Sequence, residues 1–138
     1  MTATPIEREY ILEELRHLPT CEIDWPDLTE VKVRSRQTNK PDKYIVLECA
    51  KVLHDELPYN LHIFVNSVEF IAKVIDTLKL APEAVKVVCS TSGDSRQENQ
   101  RKLGNAYPIG QPSDPAKKIN FYTSTCFEGC DIFDPDGV

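Results

Sequence analysis

Three short apolar runs, LHIFV at 61–65, AVKVVC at 84–89 and INFY at 119–122, each give way abruptly to small polar residues. Nearly continuous, β-branched and aromatic runs of this length are the pattern of strands covered on both faces, as in a parallel sheet. Parallel strands cannot be joined by hairpins and need crossovers. The sequence supplies helical periodicity at the right places. Ile45, Val46, Cys49, Val52, Leu53 and Leu57 recur at three- and four-residue intervals from Lys43 to Leu57, with Pro58 as the stop. After the first strand, Val68, Ile71, Ala72, Ile75 and Leu78 form a second apolar stripe. Asn66 or Ser67 can cap that helix, with Glu69 placed three beyond Asn66 as in a capping box. A short polar helix ending at Gly104 follows the second strand. Strands alternating with helices imply an α/β fold: a single domain with a mostly parallel sheet, right-handed crossovers and helices on both faces.

Outside this alternation, Glu7 to Leu18 reads as an amphipathic helix stopped by Pro19, followed by a linker to Asp27. Thr29 to Arg36 alternates Val31 and Val33 with Lys32 and Arg34, the period of a half-buried strand. Asn105 to Lys118 holds Gly110 and the prolines 108, 112 and 115, which predicts a surface excursion. Asp134-Pro135-Asp136-Gly137 is a type I turn signal. No run approaches the length of a membrane helix and no signal peptide opens the chain, so a cytoplasmic protein without membrane association is expected.

In an open parallel sheet, ligands collect at the carboxyl ends of the strands. Here those ends are Asn66-Ser67, Ser90-Thr91-Ser92-Gly93 and Thr123-Ser124-Thr125. Together they put hydroxyl and amide groups on one rim, where they and adjoining N–H groups can bind phosphate oxygens without a formal positive charge. The same residues are also ordinary helix caps and turn formers. The net charge of −6 opposes gripping nucleic acid by bulk electrostatics, so phosphates must be held locally or with help from another domain. Neither GxxxxGK[ST] nor GxGxxG occurs, and His17, His54 and His62 have no spacing that nominates a base. The five scattered cysteines do not form a disulfide framework; reduced, buried thiols are expected. Cys126 and Cys130 are four apart, but no second Cys or His pair follows at finger-like spacing, so no metal is expected.

At these residues the sequence resembles the second RecA-like domain of superfamily 2 helicases. LHIFVNSVEFI (61–71) is similar to motif IV, VKVVCSTSGDSRQENQRKLG (85–104) to the strand-loop-helix that follows it, and INFYTSTCFEGCDI (119–132) to motif V. MTATP (1–5) resembles motif III, which ends the first lobe. A nearer likeness is to the origin-binding-type helicases of viruses and mobile elements. The resemblance implies a P-loop NTPase-type fold over 29–138, preceded by an interlobe helix and linker over 1–28. It also implies a fragment of a longer helicase, starting at motif III and stopping after motif V. Thr123 and Ser124, Asn66 and Ser67, and Thr91 then match positions that contact nucleic-acid backbone, single-stranded DNA being the expected partner. Gly129 and Asp131 match positions near the nucleotide, and Thr2 and Thr4 the element coupling the lobes. ATP and Mg would be cofactors of the full-length parent only. The phosphate-binding lysine, the metal-binding acidic motif and the arginine finger are absent, so no catalytic residue is expected here and the first lobe must supply the rest. The alternative is a non-enzymatic α/β domain that uses the same rim to bind a nucleotide or phosphorylated ligand.

Overall fold

The structure, a computed structural model, describes residues 12–16, 35, 37–126, 130, 132 and 134–137. The chain divides into two compact units, Met1–Arg36 and Gln37–Val138. In the first, a 3-10 turn, Glu13–Leu15, is described with Leu12 and Arg16 at its ends; residues 7–11 and 17–18 of the expected helix lie outside the described residues. The strand expected over 29–36 also lies outside them, apart from Ser35.

The second unit runs α1 (Pro41–Leu53), β1 (Leu61–Phe64), α2 (Val68–Leu78), β2 (Val85–Val88), α3 (Ser95–Leu103) and β3 (Ile119–Tyr122). The three strands form a parallel sheet in the order β1-β3-β2, as the alternation requires. Helix α1 starts earlier and stops earlier than periodicity suggests. Pro41 occupies the first turn, where its missing N–H costs nothing. The helix ends because Asp55 turns left-handed at φ 53°, with Glu56 N–H donating to Lys51 O at 3.0 Å and Asp55 N–H to Val52 O at 3.2 Å. This Schellman pattern closes the helix before Pro58 is reached. Lys79, at φ 50°, ends α2 in the same way: its own N–H donates to Asp76 O and that of the buried Leu80 to Ile75 O.

Register divides the side chains between two faces. Leu61, Ile119 and Val85 stand abreast, as do Ile63, Phe121 and Val87. All six belong to one core with Cys49 and Val52 of α1, Ile71, Val74 and Ile75 of α2, and Leu103 of α3. Burial of each large member stabilises the unit by about 1.5–3 kcal/mol. The other face carries His62, Asn120 and Lys86 abreast, then Phe64, Tyr122 and Val88.

Helices on both faces are therefore not what the described residues show: the buried residues of all three helices lie in the core of one face. The reason lies in the 105–118 stretch, which is more than a surface excursion. Ile109 makes a parallel bridge to Val87, and Gly110 N–H donates to Val87 O at 2.8 Å, so Ile109 occupies a fourth strand position beside β2. Pro108 and Gly110 restrict that position to one residue. From β1 to β2 and from β2 to Ile109 the chain steps the same way across the sheet, so right-handed crossovers put α2 and α3 on the same face. The return from Ile109 to β3 then belongs on the opposite face. It runs there without a helix, because Pro112 and Pro115 interrupt it. The Lys86 ammonium, on that face, donates to Asp114 O at 2.7 Å and Pro112 O at 3.3 Å.

Candidate functional site

Loops from the carboxyl ends of all three strands meet around a cavity of about 330 Å³, lined by Asn66, Ser67, Val68, Glu69, Ser90, Asn99, Lys102, Thr123, Ser124 and Thr125. The expected rim residues Asn66, Ser67, Thr123 and Ser124 are thus brought together. Thr91 is exposed and is not part of this lining. Gly129 and Asp131, and likewise Thr2 and Thr4, lie outside the described residues.

Each wall is held by a local device. Ser67 caps α2, its Oγ accepting from Phe70 N–H at 3.1 Å. Because Ser67 rather than Asn66 is the cap, the third helical position is Phe70, and Glu69 cannot complete a capping box. Asn66 Oδ1 instead faces Ser124 N–H at 3.5 Å, linking the loops after β1 and β3. Thr123 is 5% exposed; its N–H donates to Val88 O at 3.0 Å and its carbonyl accepts from Cys126 N–H at 2.9 Å. Asn99 Nδ2 donates to Ser90 O at 3.0 Å, tying α3 to the end of β2.

Two charged residues that the strand-end pattern does not reveal also line the cavity. Lys102 lies on α3 and pairs with Glu98 at 2.7 Å; the bond from Lys102 holds the Glu98 carboxyl below its ordinary range. Glu69 sits in the first turn of α2. An i, i+4 pair is visible in sequence, but its position against the rim is not. With one cation and one carboxylate in its lining, the cavity has no excess positive charge. Its chemistry is that of hydroxyl, amide and backbone donors, suited to holding an oxyanion rather than to nucleophilic attack.

A second polar cluster occupies the face opposite the helices. His62 Nε2 and Asp134 Oδ2 are 2.8 Å apart, and His62 Nδ1 and the Tyr122 hydroxyl 3.0 Å apart. The tautomer that donates from Nε2 and accepts at Nδ1 satisfies both contacts. Asn60 Nδ2 donates to the same Asp134 oxygen at 3.0 Å, and Asp136 N–H donates to Oδ1 at 3.1 Å. Gly137 N–H closes the expected turn onto Asp134 O at 3.2 Å. A Cβ at residue 137 would lie 2.7 Å from His62 Nε2, so this close approach requires glycine. His62 is therefore a shielded bonding partner, 9% exposed at its side chain, rather than an ordinary strand surface residue. No local sequence signal joins residues 62 and 134. Beside it, burial pushes the Tyr122 phenol up to about 12 and pulls the Lys86 ammonium below the usual lysine range. Lys86 also lines a second cavity of about 380 Å³ with Pro112 to Ala116 and Ile132.

Compared with known proteins, the chain matches no family model, no curated protein and no solved structure. Among the described residues, no helix is long and apolar enough to cross a membrane.

Proposed function

We propose that residues 37–138 form the second RecA-like lobe of an ATP-driven nucleic-acid translocase, whose strand-end rim holds the phosphate backbone of a single strand. The observation that carries this reading is the convergence of Asn66, Ser67, Thr123 and Ser124 on one cavity at the carboxyl ends of β1 and β3. Neutral donors of this kind position a backbone without reading bases. They also fit an acidic chain, because they need no basic patch. The central position of β3 agrees with the resemblance of INFYTSTCFEGCDI to motif V, since it places the Thr123 loop between the other two strand ends.

The nucleotide half of the reading rests on Gly129 and Asp131 by resemblance alone. The chain holds neither a phosphate-loop lysine nor an arginine finger, so no hydrolytic step is assigned to its residues. Its role is to bind and position, with the first lobe and its metal and nucleotide supplied by the rest of the parent.

Titration with labelled single-stranded oligonucleotides over a range of salt concentrations tests this. The expected result is binding that weakens with salt, is indifferent to base composition, and falls by about threefold to tenfold in Thr123→Ala, the value of one hydrogen bond. Binding of free nucleotide with no response to oligonucleotide would replace this reading by that of a nucleotide-binding interaction domain.

A further inference from the structure

Lys86 stands in β2 and is 5% exposed, so a cationic side chain is buried on the polar face of the sheet. Its Nζ donates to Asp114 O at 2.7 Å and to Pro112 O at 3.3 Å, and lies 5.6 Å from the centre of the Tyr122 ring. An ammonium has three N–H groups, and these partners are two carbonyls and a ring face, none of which carries a formal charge. Among the described residues no carboxylate pairs with it: Asp114 Oδ2 accepts from Gln111 N–H at 2.6 Å, and Asp134 Oδ2 pairs with His62 at 2.8 Å. Burial holds the ammonium below the usual lysine range, against the opposing pull of Asp114, Asp134 and Cys126. A cation taken out of water and met only by neutral groups is incompletely compensated.

The cavity of about 380 Å³ adjoins this cation. Pro112 and Asp114, whose carbonyls hold the ammonium, both line it, and Pro112, Pro115, Ala116 and Ile132 give it largely apolar walls. It shares no lining residue with the rim cavity. We propose that this cavity binds a small aliphatic monocarboxylate, with the carboxylate on the third N–H of Lys86 and the tail along Pro115 and Ala116. The volume lies near the low end for ligand cavities, about 300–1,000 Å³, which suits a short chain.

The carboxylate supplies the counter-charge that the surrounding side chains withhold, through a charge-assisted hydrogen bond. The tail adds apolar area removed from water. Together the two terms set an order of affinity. Butyrate binds more tightly than 1-butanol, which has the tail without the charge, and more tightly than chloride, which has the charge without the tail. This ligand site stands whatever the strand-end rim binds.

Amide NMR of the full chain, titrated with sodium butyrate, 1-butanol or sodium chloride at one fixed ionic strength, gives a direct readout. Butyrate should shift the Lys86 and Ala116 amide signals saturably, with an affinity about tenfold or more above that of 1-butanol, the value of a hydrogen bond to a charged group. Chloride should leave those signals in place. Lys86→Met, which keeps the apolar stem and removes the cation, should abolish the preference for butyrate over 1-butanol. Ala116→Leu adds volume at a half-buried wall and leaves Lys86 intact, so it keeps the site testable even where Lys86→Met does not fold. In that variant butyrate binding should fall about tenfold or more while the rest of the spectrum is retained. Equal affinity for butyrate and 1-butanol, undiminished binding to Ala116→Leu, or shifts centred on Asn66 and Thr123 instead of Lys86 and Ala116 would each overturn the assignment. An absence of any saturable shift would reduce Lys86 to a pin for the proline-rich return.

Discussion

On one face of the sheet, Leu61, Ile63, Val85, Val87, Ile119 and Phe121 meet three helices; at the alternate positions of the same strands, His62, Lys86, Asn120 and Tyr122 meet a proline-rich return and the turn at 134–137. The first face is held by area removed from water, which is non-directional and tolerates exchange among apolar side chains of similar volume. The second is held by named donors and acceptors. Asn120, fully buried in the central strand, receives Lys117 N–H at 2.9 Å and donates to Lys117 O at 2.6 Å and Leu61 O at 3.3 Å. Lys86 spends its ammonium on two backbone carbonyls and lies 5.6 Å from the centre of the Tyr122 ring. Such a face is intolerant in another way: losing one partner leaves the other buried and unpaired.

The contrast can be broken at its two centres. Phe121→Ala, at a position with no exposure, should cost about 3–5 kcal/mol in urea unfolding, seen as a lower midpoint at unchanged slope. One residue before it, Asn120→Ala should cost about 1–3 kcal/mol, because the Lys117 N–H and two carbonyls lose their partner. A neutral Asn120→Ala would mean that the polar face contributes no directional stability, and the distinction between the faces would collapse.

The two faces were unequally legible in sequence. The strands 61–64, 85–88 and 119–122, the buried stripe of α2 and the rim at the strand ends all follow from local periodicity and capping chemistry, which act over a few residues. Val74 completes that stripe although it is missing from the minimal spacing, because it lies three beyond Ile71 on the same side. The polar face was not legible. Its bonds join residue 62 to 134, 60 to 134 and 86 to 114, and no periodicity records a pairing across such separations. The missing return helix was half visible: the prolines exclude it, but only the Ile109 bridge shows that the segment is also a strand position. At the rim, the place of Lys102 and of Glu69 in the cavity wall is not legible, because the hydroxyl and amide pattern marks the loops and not the helix flanks that wall them.

At the rim, Ser67 and Thr123 serve different ends. If the Ser67 hydroxyl serves α2 as a cap, Ser67→Ala should cost about 1 kcal/mol in unfolding. Thr123→Ala, in the cavity lining but capping no helix, should by contrast act on oligonucleotide affinity more than on stability.

The smallest effect expected is on pH dependence, and it isolates the polar face. Asp134 is held below the usual carboxylate range, first by its bond to His62 and then, against some burial, by Asn60 and the Asp136 N–H. A carboxyl depressed in the folded chain binds its proton more readily when unfolded, so it adds stability above its unfolded value and loses that contribution as pH falls through the folded one. Stability measured from neutral pH down into the acid range should therefore fall more steeply in the natural chain than in Asp134→Asn, which keeps the size of the side chain but cannot titrate. Glu98, also depressed by its partner Lys102, titrates in both proteins and cancels in the difference. His62, Tyr122 and Lys86 surround the carboxylate and are unchanged by the substitution. If the two acid profiles superimpose, the His62–Asp134 bond does not couple the 134–137 turn to the sheet, and the polar face is reduced to Asn120 and Lys86.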